Sequence, residues 1–326
     1  MKDKLRFSIW FNEKDDFFEL LQTPKRFSKI HSVYFPLPKF LWSSGRPARE
    51  QKNYIKQIFR LLYLCQKIGI IPILLLNATF YGPKEFSQDY LAKLFKFIDL
   101  LLDKWLKAVS IVNPIYIKLF KERYKDKLII YNSVNCRIKE VEQAIYFKNL
   151  GVEVITIDRD INRKLDIIKS IKERVKLPLQ IMLNEPCIRN CPFRQLHFDL
   201  VAHNIEQIFW KEFEEIACYE MFRKNRRLIF RIPFIRPEDL KYYINLVDIF
   251  KLVTRDAPTW KIKLMLDAYS KMEYHGNLID LFDLEPTQWL AQQYIDNDKL
   301  TKLDFFERIK NCPGDCDNCK ACDIYF

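Results

Sequence analysis

Nine short runs of apolar and β-branched residues alternate along this chain with longer stretches of helical period, and that alternation restricts the fold more than any other feature. The runs are Leu5–Phe11, Ile30–Phe35, Ile70–Leu76, Val109–Val112, Leu128–Tyr131, Val152–Ile157, Leu179–Leu183, Leu228–Ile232 and Ile249–Val253. Between them Ile55, Ile58, Phe59, Leu62 and Cys65 share one helical face, as do Leu91, Leu94, Phe95, Ile98 and Trp105 behind a Ser87 cap, and Leu150-Gly151 ends another helix. Strands separated by helices predict a parallel sheet with crossover helices. At this length the expected form is α/β, a TIM-like (β/α)8 barrel over residues 1–276 with a cysteine-rich extension over 277–326, where the alternation loosens. Nine runs overfill eight strands, so the first or the second is expected to cover the barrel instead of joining it.

A hydrophobic share of 49% is enough for a large core without disulfides. The net charge of +12 favours anionic partners, either a small anionic substrate or RNA, without naming one. The densest basic run, Arg223 to Arg227, reads as a solvated turn before a strand. The apolar run at the N-terminus is too short for a secretion signal or a membrane span, so a cytoplasmic protein is expected. In a reducing compartment nine cysteines point to metal or redox chemistry.

Polar residues recur where strands hand over to helices: Asn77, Asn113, Asn132, Asn135, Asp158-Arg159-Asp160, Asn184-Glu185, Arg231 and Arg255-Asp256. In an α/β barrel these share the rim that carries active sites, although each taken singly also suits a helix cap. Just beyond Glu185, Cys187 and Cys191 stand four residues apart in a proline-bounded loop, a spacing that suits iron–sulfur or zinc ligation. Cys312, Cys316, Cys319 and Cys322 crowd the last fifteen residues with few apolar neighbours to explain burial. They have the thiolate density of cluster ligands or of a tetrahedral zinc knot. Cys218 reads as a small buried residue or a third ligand beside the loop pair; Cys65 and Cys136 read as core. Glu185 is a candidate general base or a turn cap, and His197 a ligand, an acid or a stacking ring, with His203 weaker. Arg46, Arg236 and Arg255 are candidates for an anion clamp, against surface ion pairing. No glycine-rich phosphate loop, Gly-x-Ser-x-Gly elbow or His-Glu-x-x-His helix is present, which gives a serine or zinc protease poor support.

Five segments, Leu74–Gly82 (LLLNATFYG), Ser133–Arg137 (SVNCR), Ile157–Arg163 (IDRDINR), Leu183–His197 (LNEPCIRNCPFRQLH) and Pro233–Leu240 (PFIRPEDL), together resemble the collagenase-like peptidase family U32 in order and spacing. Phe250-Lys251-Leu252, Ala268-Tyr269 and Gly276-Asn277-Leu278 extend the likeness over most of the chain. The resemblance implies a TIM-like barrel and, in the better understood branches, a 4Fe-4S cluster on four cysteines. It further implies oxygen-independent hydroxylation of RNA bases or quinone precursors, with prephenate as oxygen donor. Two features depart from the pattern: Pro186 replaces the usual glycine, and seven thiols stand where four would serve. One cluster on Cys187, Cys191, Cys218 and a tail cysteine is an option, and so is a second metal, iron or zinc, in the tail. The leading expectation is a cluster-dependent modifying enzyme with Glu185, Asp158, Arg159 and His197 in catalytic roles and Asn77, Asn135, Arg46, Arg236 and Arg255 binding substrate. The rivals are a peptidase and a non-catalytic protein whose tail docks a partner or an electron donor.

Overall fold

A computed structural model describes residues 2–23, 29–41, 44–45, 53–80, 82–202, 215–255, 257–283 and 289–326. Eight parallel strands form the barrel: β1 (Phe7–Trp10), β2 (Ile30–Pro36), β3 (Ile71–Leu76), β4 (Ala108–Ile111), β5 (Ile129–Asn132), β6 (Ile155–Thr156), β7 (Leu179–Met182) and β8 (Ile249–Lys251). Their hydrogen-bonded order is β5-β4-β3-β2-β1-β8-β7-β6. A parallel bridge between Tyr131 and Val154 closes β5 onto β6. The Asn132 side chain strengthens that seam, donating to the Thr156 carbonyl and accepting from the Thr156 N–H, each at 2.8 Å.

Side chains alternate across each strand, which splits the core in two. Trp10, Tyr34, Ile73, Leu75, Ala108, Tyr131, Val154 and Ile249 fill the barrel interior, while Ile9, Val33, Leu74, Val109, Ile130, Ile155, Ile181 and Phe250 face the helices. The surrounding helices are α1 (Asp15–Gln22), α2 (Tyr54–Ile68), α3 (Gln88–Leu102), α4 (Pro114–Tyr124), α5 (Val141–Asn149), α6 (Leu165–Val175), α7 (Arg194–Ala202) and α8 (Thr259–Lys271). The caps follow the sequence signals. Ser87 accepts from the Tyr90 N–H at 3.2 Å and Asn113 from the Ile115 N–H at 2.9 Å, and Gly151 takes φ 106° just past α5. Trp105, expected on the buried face of α3, instead lies past the helix end at φ 70° and is exposed.

One expected strand is corrected. Leu228–Ile232 is not a strand, and β1 and β2 both belong to the barrel, so neither is a cover. The run lies in a 3-10 turn (Arg226–Arg231) within the long β7–β8 connection, capped by Asn225 accepting from the Arg227 N–H. Leu228, Ile229 and Phe230 are apolar because they are buried beside the barrel, not because they pair in it. Arg163 takes the backbone acceptors that a strand would have offered to a neighbour, donating to the carbonyls of Phe230 and Ile232, each at 2.7 Å.

The segment after α8 packs back onto this connection. Phe305 stacks on Phe234 with ring centroids 5.6 Å apart, and Phe230 meets Tyr325 and Phe326 at 5.2 and 5.1 Å. Among the described residues no helix is long and apolar enough to cross a membrane.

Candidate functional site

The site gathers where β6, β7 and β8 end. After β6, Asp158 accepts from the Asp160 N–H at 2.7 Å, and this tight turn aims Arg159 over the barrel. Arg159 is only 2% exposed; it pairs with Glu185, which follows β7, and donates to Asn135 Oδ1 at 3.3 Å. The Phe198 ring of α7 lies 5.2 Å from the guanidinium carbon. Arg255, past β8, reaches Glu185 at 3.7 Å and Asp283 at 3.2 Å. Glu185 therefore sits between two guanidiniums. Val134, Met182 and Val253 form a small apolar group at the same end.

Beside this cluster the cysteine loop is pinned by Arg194, the first residue of α7. Arg194 donates to the Cys187 sulfur at 3.3 Å, to Asp160 at 2.8 Å and to the Ile188 carbonyl at 2.6 Å. Asp160 also takes Lys139 at 2.6 Å and the Asn190 N–H at 2.9 Å. Burial opposes the charge on Asp160, yet Arg194 and Lys139 together hold its carboxyl below the ordinary range. Asp158 goes the other way: burial raises it despite Arg159, and its Oδ2 is buried without a hydrogen-bond partner among the described residues.

Cys187 and Cys191 share a hydrogen bond. It raises Cys187, with burial adding to the rise, and lowers Cys191 to about 7, while Cys218 acts on Cys191 through its charge. The pair thus gives up one proton readily and keeps the other, as adjacent thiols do.

The four tail thiols form a second group. Burial followed by the charges of Cys312, Cys316 and Cys319 pushes Cys322 up to about 11. Arg189 donates to the Cys312 carbonyl at 2.9 Å and Asn225 to the Cys316 carbonyl at 3.0 Å. Gly314, at φ 88°, lies so near Arg189 that a Cβ there would stand 2.9 Å from its Nη2. Arg231 Nε is buried without a hydrogen-bond partner among the described residues and lies 3.7 Å from the same point. Arg189 and Arg231 beside the loop between Cys312 and Cys316 suit an anionic thiolate centre. Against that, among the described residues no group of three or more His, Cys, Asp or Glu stands arranged to hold a metal ion. Donor chemistry and surroundings fit thiolate ligation, but the sulfurs would have to draw together around the metal.

The remaining expected residues fall in different places. Asn77 accepts from the Gly45 N–H at 2.9 Å and so shapes the loop after β2. His197 stacks beside Phe198 on α7 with centroids 5.5 Å apart. Arg236 does not join Arg159 and Arg255: it is buried against Asp239 at 2.8 Å and donates to Thr301 at 3.0 Å, tying the extension down. Cys65 is buried, and Cys136 donates to the backbone carbonyls of Ile111 and Val112, at 3.5 and 3.4 Å. Arg46, His203 and Asp256 lie outside the described residues. Arg194, Asp283 and Lys251 also belong to the site, although no motif marks them. Lys251 alternates with the inward-facing Ile249, and that was the available signal; its amine lies 4.0 Å over the Tyr34 ring.

A protein of Methanocaldococcus jannaschii described as an uncharacterized protease, MJ1657, is 30% identical over 292 residues, covering 89% of this chain and 86% of its own. The chain belongs to the U32 peptidase family. Among solved structures, the U32 peptidase Mk0906 superposes with a TM-score of 0.54 over 76% of this chain and 92% of its own, at 18% identity, and shares the barrel fold. No protein-family profile matches this U32 chain.

Proposed function

We propose that this U32 protein is an iron–sulfur-dependent modifying enzyme, an oxygen-independent hydroxylase or a close relative of one, acting at the barrel mouth on a small anionic or aromatic metabolite or an RNA base. The observation that carries the reading is the contact between Cys187 and Cys191 directly beside the Glu185 cluster. Cys187, Cys191 and Cys218 would hold a 4Fe-4S cluster with a fourth ligand from the tail; alternatively substrate supplies that ligand, and Cys312, Cys316, Cys319 and Cys322 would hold a second metal, iron or zinc. Once bound, such a cluster supplies electron transfer or an open iron site near the substrate.

The protein's own groups have separable tasks in this reading. Arg159 and Arg255 attract and orient an anion, because guanidinium forks suit carboxylate and phosphate. Glu185 balances those two charges and accepts a proton at Oε1 or Oε2. Asp158, held toward its neutral form by burial, is a proton donor at Oδ2. Phe198 and His197 offer flat faces to an aromatic ring or a base.

The test is anaerobic purification followed by iron, sulfide and zinc quantification. The reading expects a brown protein carrying iron and sulfide, with Cys187→Ser and Cys191→Ser each losing the barrel cluster. Folded, reduced and metal-free protein would sink it. For an RNA substrate, mass spectrometry of bulk tRNA and rRNA nucleosides from a deletion strain should show a missing hydroxyl. The peptidase reading rests on the relative's name; in this chain Cys187 is held by a guanidinium in place of the imidazole a cysteine peptidase uses. Turnover of gelatin by metal-free protein would favour that reading.

A further inference from the structure

Lys251 ends β8 and points into the barrel. Ile249 belongs to the interior apolar group, Phe250 packs outward, and alternation returns Lys251 to the inside. It stands in register with Ser8 on β1 and Met182 on β7, and the small Ser8 leaves room for a long side chain. Its amine lies 4.0 Å over the Tyr34 ring and, among the described residues, makes no hydrogen bond and no ion pair. The charges that reach it are Arg255 past its own strand, Glu185 after β7 and Arg159 after β6. Arg159 contributes a second observation: its Nη1 is buried with no hydrogen-bond partner among the described residues, a donor left over in a site already rich in donors.

We propose that Lys251 is a carbonyl-capturing amine: a small 2-oxo acid enters the barrel mouth, Arg159 and Arg255 hold its carboxylate, and Lys251 Nζ bonds its ketone carbon as an imine. Nζ attacks the carbonyl carbon; a C–N bond forms as the C=O π bond opens. The former carbonyl oxygen then leaves as water, both of whose protons come from the amine, so neither an oxidant nor a reductant is consumed. An unprotonated amine is required, and a lysine half-buried in the barrel mouth, with guanidiniums nearby, meets that need. Burial first, then Arg255, lower Lys251 from the ordinary 10.5 to about 7. At neutral pH about half of such an amine is unprotonated, against fewer than about one in a thousand for a surface lysine. The inference rests on reading the mouth as the substrate site, and it does not need the metal centre.

The full-length protein is incubated with pyruvate at neutral pH, reduced with borohydride, digested and mapped by peptide mass. The reduced adduct is expected on the peptide carrying Lys251 at about tenfold or more above any other lysine. Excess acetate, which fills the guanidinium site without a ketone, should suppress it, and Lys251→Met and Lys251→Arg should abolish it. An unlabelled Lys251 with both pyruvate and glyoxylate, or label spread evenly over the lysines, would overturn the proposal. Wild-type mapping decides even if a variant fails to fold, and Lys251→Arg preserves charge and length with melting temperature as its check. Iron and sulfide are counted on the same samples. Adduct on metal-free protein would spare Lys251 while removing the cluster, and iron without adduct would do the reverse.

Discussion

At the scale of single residues the site is an arrangement of buried charges, and buried charges tolerate the loss of a partner badly. Arg159 and Glu185 are both nearly inaccessible, so Arg159→Met takes from a buried carboxylate its nearer guanidinium and leaves the more distant Arg255. Urea unfolding should show a loss of about 3 kcal/mol, and Arg159→Met with Glu185→Leu should recover most of it, as a pair replaced by apolar side chains does. A failure of the double variant to recover would mean that Arg255 needs Glu185 more than Arg159 does. Lys251 predicts an unusual pH dependence. Its folded value lies below its unfolded one, so between about 7 and 10.5 the unfolded chain binds more protons. Stability therefore rises with pH through that window, at most by about 1.4 kcal/mol per unit, where most proteins level off. Lys251→Met should flatten the rise. Asp160 acts at the other end of the scale: its depressed carboxyl contributes stability above the unfolded value of about 3.9 that is lost as pH falls through the lower folded value. Asp160→Asn should remove that acid-sensitive part.

At the scale of elements, the barrel is weakest where β5 meets β6. Their backbone pairing is a single bridge, and the Asn132 side chain supplies two further bonds that would otherwise come from the ladder. Asn132→Ala leaves the Thr156 N–H and carbonyl buried and unsatisfied, which costs about 2 kcal/mol or more. The Thr156 amide should then exchange with solvent well before those of β2 and β3; unchanged protection would mean that the bridge alone closes the barrel. The same elements show how far sequence carries. Eight of nine runs were legible as strands because inside and outside are both apolar in a barrel, which produces continuous hydrophobic stretches. Leu228–Ile232 has the same composition for another reason, burial under the extension, and apolar character alone does not distinguish a strand from a buried turn. Arg163, which occupies its carbonyls, comes from 67 and 69 residues away, a pairing that no local pattern reveals.

For the whole molecule, the long β7–β8 connection and the extension bring distant chemistry to one end of the barrel. Glu185, Arg159 and Arg255 were legible as a rim because each follows a strand, and strand ends share a face. Arg236 follows no strand, and it was spent on anchoring Asn297–Lys302 instead. Cys187 with Cys191, and the four tail cysteines, stand out in the sequence by spacing, but their assignment to one centre or two depends on how the extension returns. Truncating the last fifteen residues is a poor test of their separateness, because Tyr325 and Phe326 pack on Phe230 and would be lost with the cysteines. Point variants avoid this: Cys319 is exposed and Cys316 only partly buried, so Cys316→Ser with Cys319→Ser removes two donors at little cost in packing. If the tail holds its own metal, this variant loses that metal alone and retains any iron and sulfide bound through Cys187 and Cys191. If one cluster draws its fourth ligand from Cys316 or Cys319, iron and sulfide fall together. Because serine keeps nearly the shape of cysteine but is a far poorer ligand for soft metals, metal counts before and after the change separate the two architectures.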